Sequence, residues 1–186
     1  TRTYSCAQEG ISRTDFERFS PVFSQAGSWT RCWPLLAPLR GGLLFPGLDD
    51  GAGIEPWFVP GAEGGAARLA DAFPGPMSSS PTQAVDMGGF ALFGASESET
   101  ARGLWRTDGT GGGTVRIAAA DEIRGFSRAR NRAYFLPVSS TSDLGVSDGT
   151  PAGTATLPIA GGSEMATIGD RVFVASRESA SALWAS

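Results

Sequence analysis

The groups in this chain that could do chemistry fall into three sets. Arg124, Arg128, Arg130 and Arg132 crowd one short segment. The last three alternate, which would place them on one face of a strand. Guanidinium groups so arranged could take an anionic ligand such as a sulfated or uronic glycan. A solvated face, or pairing with nearby Asp and Glu, is the plainer alternative. Asp49-Asp50-Gly51, with Glu55 close by, could offer oxygen ligands to a hard cation. A calcium loop needs more oxygen donors at regular spacing, so a turn capped by its own carboxylates is expected here. The third set recurs: Asp108-Gly109-Thr110 leads to Gly113-Thr114, and Asp148-Gly149-Thr150 leads to Gly153-Thr154.

What is missing limits the chemistry further. All 15 basic residues are Arg, and neither His nor Lys occurs. A His-based triad, a His-ligated metal, a Schiff-base lysine and a P-loop lysine are therefore excluded within this chain. No Ser sits in a nucleophile-elbow pattern; Ser78-Ser79-Ser80-Pro81 reads as a loop. A net charge of −4 gives no reason to expect nucleic acid as a partner. Cys6 and Cys32 cannot build a four-ligand zinc site alone. They would suit a disulfide in an exported protein, or two unrelated buried thiols otherwise. No catalytic residue and no metal ligand set can be named. No cofactor is expected, with calcium left open by the acidic turns.

The elements that must hold these groups are short strands. Gly at 26 residues and Pro at 12, spread along the chain, indicate many tight turns. From residue 33 a four-strand unit repeats. Its first strand is read at Leu35–Leu39, Gln83–Met87, Phe126–Arg130 and Met165–Ile168. A Gly- or Asn-bearing turn follows each. The second strand is the most apolar, as in Leu43-Leu44-Phe45, Ala91-Leu92-Phe93, Ala133-Tyr134-Phe135 and Val172-Phe173-Val174, and reads as buried on both faces. Phe45, Phe93, Phe135 and Phe173 are taken as its anchors. A longer polar connection is expected at Leu48–Gly53 and Ser96–Arg102. The third strand carries a Trp slot: Trp57, Trp105, Gly145 and Trp184. The Asp-Gly turn then leads to a fourth strand, where Val115 and Ile117 alternate with Arg116 in a period of two.

These readings give an all-β fold, a β-propeller-like array of four-stranded antiparallel blades, about four units with the last incomplete. The units run over 33–76, 77–121, 122–161 and 162–186. Residues 1–32 form a lead-in, with a short helical turn over Asp15–Phe19. The last unit lacks its Asp-Gly turn and fourth strand. Either Thr3–Cys6 supplies that strand and closes a ring, or the edge stays open and can associate. We expect the open edge, in a piece of a longer protein.

The motif residues resemble the bacterial ELWxxDGT repeat, which tends to continue as x-x-Gly-Thr. Leu104-Trp105, Asp108-Gly109-Thr110 and Gly113-Thr114 carry the resemblance, as do Asp148-Gly149-Thr150 and Gly153-Thr154. It covers about residues 33–186. Gly103 stands where the motif has Glu, Gly145 where it has Trp, and Pro60 and Ala62 replace the Asp and Thr of a worn first copy at Trp57. The resemblance implies a secreted or surface-attached propeller-like bacterial protein and brings no catalytic set. The function it implies is a non-enzymatic extracellular or envelope module that binds protein or glycan through loop rims. The rival reading is a glycan-active hydrolase with carboxylates from loops. Converging acidic residues in a pocket with Arg neighbours would favour that rival.

Overall fold

A computed structural model describes residues 3–7, 10–14, 19–23, 37–61, 65–138, 143–159, 162–176 and 183–185, with backbone alone before Ala37 and after Ala175. Among the described residues there is no helix, and eighteen strands form five antiparallel sheets. β1 (Thr3–Ala7), β2 (Gly10–Thr14) and β3 (Phe19–Phe23) make the first sheet. The second holds β4 (Ala37–Leu39), β5 (Gly42–Asp49), β6 (Gly53–Val59) and β7 (Ala67–Arg68). The third holds β8 (Thr82–Asp86), β9 (Ala91–Ser96), β10 (Arg102–Thr107) and β11 (Val115–Ala119). The fourth holds β12 (Ile123–Ala129), β13 (Arg132–Pro137), β14 (Leu144–Ser147) and β15 (Ala155–Leu157). The fifth holds β16 (Gly162–Ile168), β17 (Arg171–Ser176) and β18 (Leu183–Ala185). Within every sheet, spatial order follows chain order. The chain is all-β and propeller-like, built from repeated antiparallel meanders.

Turn chemistry sets the local registers. Arg40 and Gly41 join β4 to β5 with φ of 47° and 78°. Two positive φ values match the right-handed twist of a two-residue hairpin. Arg130 takes φ 51° at the equivalent bend between β12 and β13. The second strand of each unit then runs between two neighbouring sheets. All six residues of β9 are buried. Ala91, Phe93 and Ala95 share a core with Leu39 and Leu44 of the second sheet and with Leu69 just after β7. Leu92 faces the fourth sheet's Ile123, Ala133 and Phe135. A third core joins Leu136 and Leu144 to Val172 and Val174 of the fifth sheet. The period of two therefore sends alternate side chains into successive cores.

Several expectations need correction. The lead-in contains the first sheet, in which β2 pairs with both β1 and β3. Pro21 is accommodated because β3 lies at the sheet edge, beside a register shift between Ile11 and Ser12. Phe19 opens β3 instead of ending a helical turn; Asp15–Arg18 lie outside the described residues. Leu48–Gly53 is not a long connection. β5 and β6 stay paired from Leu43↔Val59 to Asp49↔Gly53, because Gly53 at φ 71° lets the chain reverse tightly. In the fourth strands, Val115 is exposed although Ile117 is buried. The register shift between Leu104 and Trp105 delays the inward turn of that edge strand.

The Phe anchors also slip in the last unit. Phe45 pairs with Trp57, Phe93 with Trp105 and Phe135 with Gly145. In the fifth sheet Val174 pairs with Trp184, and Phe173 pairs with Ala185. Val174 thus holds the anchor position, and Phe173 lies half-buried on the opposite face. β1 pairs with β2 and β18 with β17, so the N-terminal strand does not complete the last unit. Phe93→Ala is expected to lower unfolding free energy by about 3–5 kcal/mol, and Phe173→Ala by less than half as much. Urea denaturation of the two variants checks this, and equal losses would contradict the register.

Candidate functional site

The two Asp-Gly-Thr turns are built alike. Asp108 Oδ1 accepts the Thr110 backbone N–H at 2.9 Å and the Thr110 hydroxyl at 2.6 Å. Thr110 Oγ1 in turn accepts the Gly113 N–H at 3.0 Å. The Thr114 hydroxyl donates to the Thr110 carbonyl at 2.6 Å. With its proton placed there, Thr114 Oγ1 must accept from the Thr107 hydroxyl 2.7 Å away, and Thr107 Oγ1 accepts the Gly109 N–H. Asp148, Thr150, Gly153 and Thr154 repeat every contact, with Ser147 in the place of Thr107. Gly109 and Gly149 sit at φ 90° and 89°, where a side chain is disfavoured. Gly113 and Gly153 are required for another reason. A Cβ there would stand 2.1 Å from the Asp108 or Asp148 carboxylate. The hydroxyl at Thr107 and Ser147 went unnoticed in sequence, because Thr and Ser alternate there and only their shared hydroxyl links them.

Each turn is also a seam. The Phe58 ring of the second sheet packs against Gly109, and Arg40 Nη1 donates to the Asp108 carbonyl at 3.4 Å. The third sheet treats the next turn likewise. Its Phe90 ring packs against Gly149, and Arg106 Nη1 donates to the Gly149 carbonyl at 3.2 Å. Arg106 lies over the Phe90 ring at 4.2 Å, a cation–π contact. Trp105 stacks near Phe93 at 6.4 Å and packs on the core between the second and third sheets. Trp57 packs on Leu43, Phe45 and Val59. Trp184 is placed by backbone only. Residues 62–64 of the worn first copy, and Cys32, lie outside the described residues, so the Cys6–Cys32 pairing does too.

The acidic turn at Asp49 is a cap. Asp49 Oδ1 accepts the Gly51 N–H at 2.9 Å, and Oδ2 pairs with Arg68 at 3.5 Å. Glu55 points elsewhere, into the protein, at 0% exposure. Its carboxylate accepts the Ala72 and Ser79 N–H groups at 2.8 and 2.9 Å. It thereby holds the long strandless connection between β7 and β8. Ser78 Oγ accepts the Ile54 N–H, and the Ser80 N–H donates to the Ile54 carbonyl, so the serine run stitches that loop to β6. Among the described residues, no three His, Cys, Asp or Glu come together to hold a metal.

The arginines do not share one face, because the bend at Arg130-Asn131 divides them between β12 and β13. Arg124 donates to the Val138 carbonyl and reaches the Ser163 carbonyl. Arg128 donates to the Asp86 carbonyl of the third sheet at 2.9 Å. Arg130 pairs with Asp170 at 3.1 Å. The structure instead brings Arg130, Arg132 and Arg171 together with Tyr134 around a cleft of about 590 Å³. A second cleft, about 820 Å³, opens between the third and fourth sheets. Arg102, Arg116, Asp121 and Asp143 edge it. Arg102 pairs with Glu122, and Arg116 with Glu97.

No family model matches the chain, and no curated protein does. Solved structures match its shape. The computationally designed Ika8 protein superposes with a TM-score of 0.64 at 14% identity, over 98% of this chain and 55% of that one. A prolyl endopeptidase matches with a TM-score of 0.51 at 15% identity, over 95% of this chain and 30% of that one. Regucalcin, a calcium-binding protein from Agrobacterium tumefaciens, gives 0.47 at 16% identity, over 96% and 66%. The likeness is one of fold. The chain spans about half the length of Ika8 and under a third of the endopeptidase.

Two titrations of opposite sense follow. Burial pushes the Glu55 carboxyl above its ordinary 4.5, against the pull of its two N–H bonds. The stability linked to Glu55 is thus fully present below pH 4.5 and is lost as pH rises through the raised value. Glu55→Gln should flatten that slope in urea titrations across acid and neutral pH. The Thr110 and Thr150 hydroxyls, then their N–H groups, hold Asp108 and Asp148 below 3.8. Their contribution is present above pH 3.8 and is lost as pH falls through the lowered values. Gly113→Ala should cost about 1–3 kcal/mol by overpacking. Its combination with Asp108→Ala should cost less than the sum of the two single changes in a double-mutant cycle.

Proposed function

We propose that this chain is a non-enzymatic repeat module of the extracellular or envelope kind, akin to the ELWxxDGT-repeat proteins it resembles. Its stacked sheets serve as a scaffold, and the rims of its turns bind protein or glycan. One observation carries the reading: Oδ1 of Asp108 and Asp148 and the hydroxyls of Thr110, Thr114, Thr150 and Thr154 are engaged within the turns, and each turn's glycine and a carbonyl are engaged by the preceding sheet. The motif that dominates the sequence therefore serves assembly, its hydroxyls and one oxygen of each carboxylate holding the turn that the preceding sheet docks on. No helix among the described residues is long and apolar enough to cross a membrane.

The rim cleft of Arg130, Arg132, Arg171 and Tyr134, where Asp170 pairs with Arg130 and leaves Arg132 and Arg171 to supply the charge, suits an anionic glycan. A chain of net charge −4 has no general attraction to an anionic resin. Retention on a sulfated-glycan column at low salt would therefore report the local cluster. Arg132→Ala with Arg171→Ala is expected to abolish that retention without changing the circular dichroism spectrum. Flow-through of the unaltered chain would count against glycan as the partner.

One observation favours the hydrolase reading. Asp121 and Asp143 line a single cleft with Arg102 and Arg116. Chromogenic glycosides separate the two. The scaffold reading expects no aglycone release. Turnover that disappears in Asp121→Asn or Asp143→Asn would replace it with the hydrolase.

A further inference from the structure

Two seams of the array share one grip, a guanidinium and a ring of one sheet seated on the Asp-Gly turn of the next. The sequence holds Asp-Gly-Thr twice, and those two turns fill those two seams. The fourth sheet carries the grip again. Arg130 opens its bend at φ 51°, as Arg40 opens the second sheet's at 47°, and the bends close alike on Ala129↔Arg132 and Leu39↔Gly42. Arg132 stands at the Phe90 position, since Ala133 pairs with Ser147 as Ala91 pairs with Thr107. Tyr134 adds a ring opposite Val146, which holds the Phe58 and Arg106 position. These three residues meet the fifth sheet's Asp170 and Arg171 around the cleft of about 590 Å³. Arg40 reaches the Asp108 carbonyl, whereas the Arg130 side chain is 74% exposed and pairs only with Asp170. At the same end of the array, β18 is the outer strand of the fifth sheet among the described residues.

We propose that this cleft docks an Asp-Gly-Thr turn of a partner protein, whose following strand adds to the free edge of β18. The proposal rests on the scaffold reading and names the kind of protein its rim takes. The chemistry of the turn fits. Its glycine, at positive φ, bares a flat backbone face for a ring, as Gly109 does for Phe58. Its carbonyls accept guanidinium N–H groups, as those of Asp108 and Gly149 do. Its aspartate suits a cationic cleft, since the charge of Arg40 helps to hold the Asp108 carboxyl low. The edge of a sheet offers unpaired N–H and C=O groups, and strand addition satisfies them with main-chain bonds. A second copy of this chain does not meet the need, because both of its turns are already seated on their own preceding sheets.

A synthetic peptide of residues 108–119, which carries the turn and its following strand, is titrated into the 186-residue chain. Binding is read by amide chemical shifts and by melting temperature. Saturable shifts around Arg130, Arg171 and β18, with a rise in melting temperature, are expected. Arg130→Ala with Arg132→Ala should weaken binding by about tenfold or more. Gly109→Val in the peptide bars the positive φ of the turn and should weaken it likewise, without touching the fold of the chain. Absence of saturable binding overturns the proposal, and so does binding that both changes leave intact. Concentration-dependent dimerisation of the chain alone, removed by the two arginine changes, would give the cleft to a second copy and also overturn it. Retention on the sulfated-glycan column without peptide binding overturns the docking and leaves glycan as the partner. Peptide binding supports the docking whether or not that column retains the chain.

Discussion

The contact on which the array depends is a ring and a guanidinium from one sheet seated on the glycine and carbonyl of the next sheet's Asp-Gly-Thr turn. A single four-stranded meander has two apolar faces and cannot bury both alone. Neighbouring sheets must therefore meet at a fixed height and angle. Side chains in the cores give adhesion but little direction. The turn supplies direction, because its carbonyls are held rigid by the closed circuit from Asp108 through Thr110, Thr114 and Thr107. A rigid acceptor at the end of the third strand gives the preceding sheet one place to dock.

The two seams reach that end with different residues. Phe58 and Arg106 hold the same position, opposite Leu44 and Leu92 of their second strands. In the second sheet that position gives the ring, and the guanidinium comes from Arg40 in the hairpin. In the third sheet it gives the guanidinium, and the ring comes from Phe90 beside the hairpin. The contact is kept while its donors change places. Motif departures follow the same logic. Gly103 stands where the repeat has Glu, and a Cβ there would meet the Glu97 carboxylate at 2.0 Å. Gly145 stands where the repeat has Trp, and the Phe135 ring covers it.

This exchange explains what could be read from the sequence and what could not. The second strands, the Asp-Gly turns and the fold class depend on local pattern, and the apolar triplets with their glycines displayed them. Anchor identity in the last unit depends on counting from the bend at Gly169-Asp170. The conspicuous Phe173 drew attention from Val174, one residue away on the buried face. Glu55 read as a spare acidic residue beside a turn, because its partners Ala72 and Ser79 offer only backbone N–H groups, which leave no mark in sequence. The 820 Å³ cleft is lined by Ala118 and Ala120 together with Phe135 and Thr156 of a different sheet, a relation with no local trace.

The arginines show why residue type alone misled. An alternating run from Arg128 to Arg132 carries the chemistry of anion recognition: flat, multiply donating, weakly hydrated cations. Those properties also suit a seam between sheets. Arg124 addresses carbonyls on two sides, Val138 at 3.0 Å and Ser163 at 3.5 Å. Arg106 lies flat on a ring and donates to a carbonyl at once. A lysine ammonium could supply the charge but could not stack and donate from one plane. A fold whose sheets meet through orphan turn carbonyls and aromatic faces has use for arginine at each seam. The absence of lysine is consistent with that demand, and in this chain Arg40, Arg106, Arg124 and Arg128 each reach a carbonyl of a neighbouring sheet.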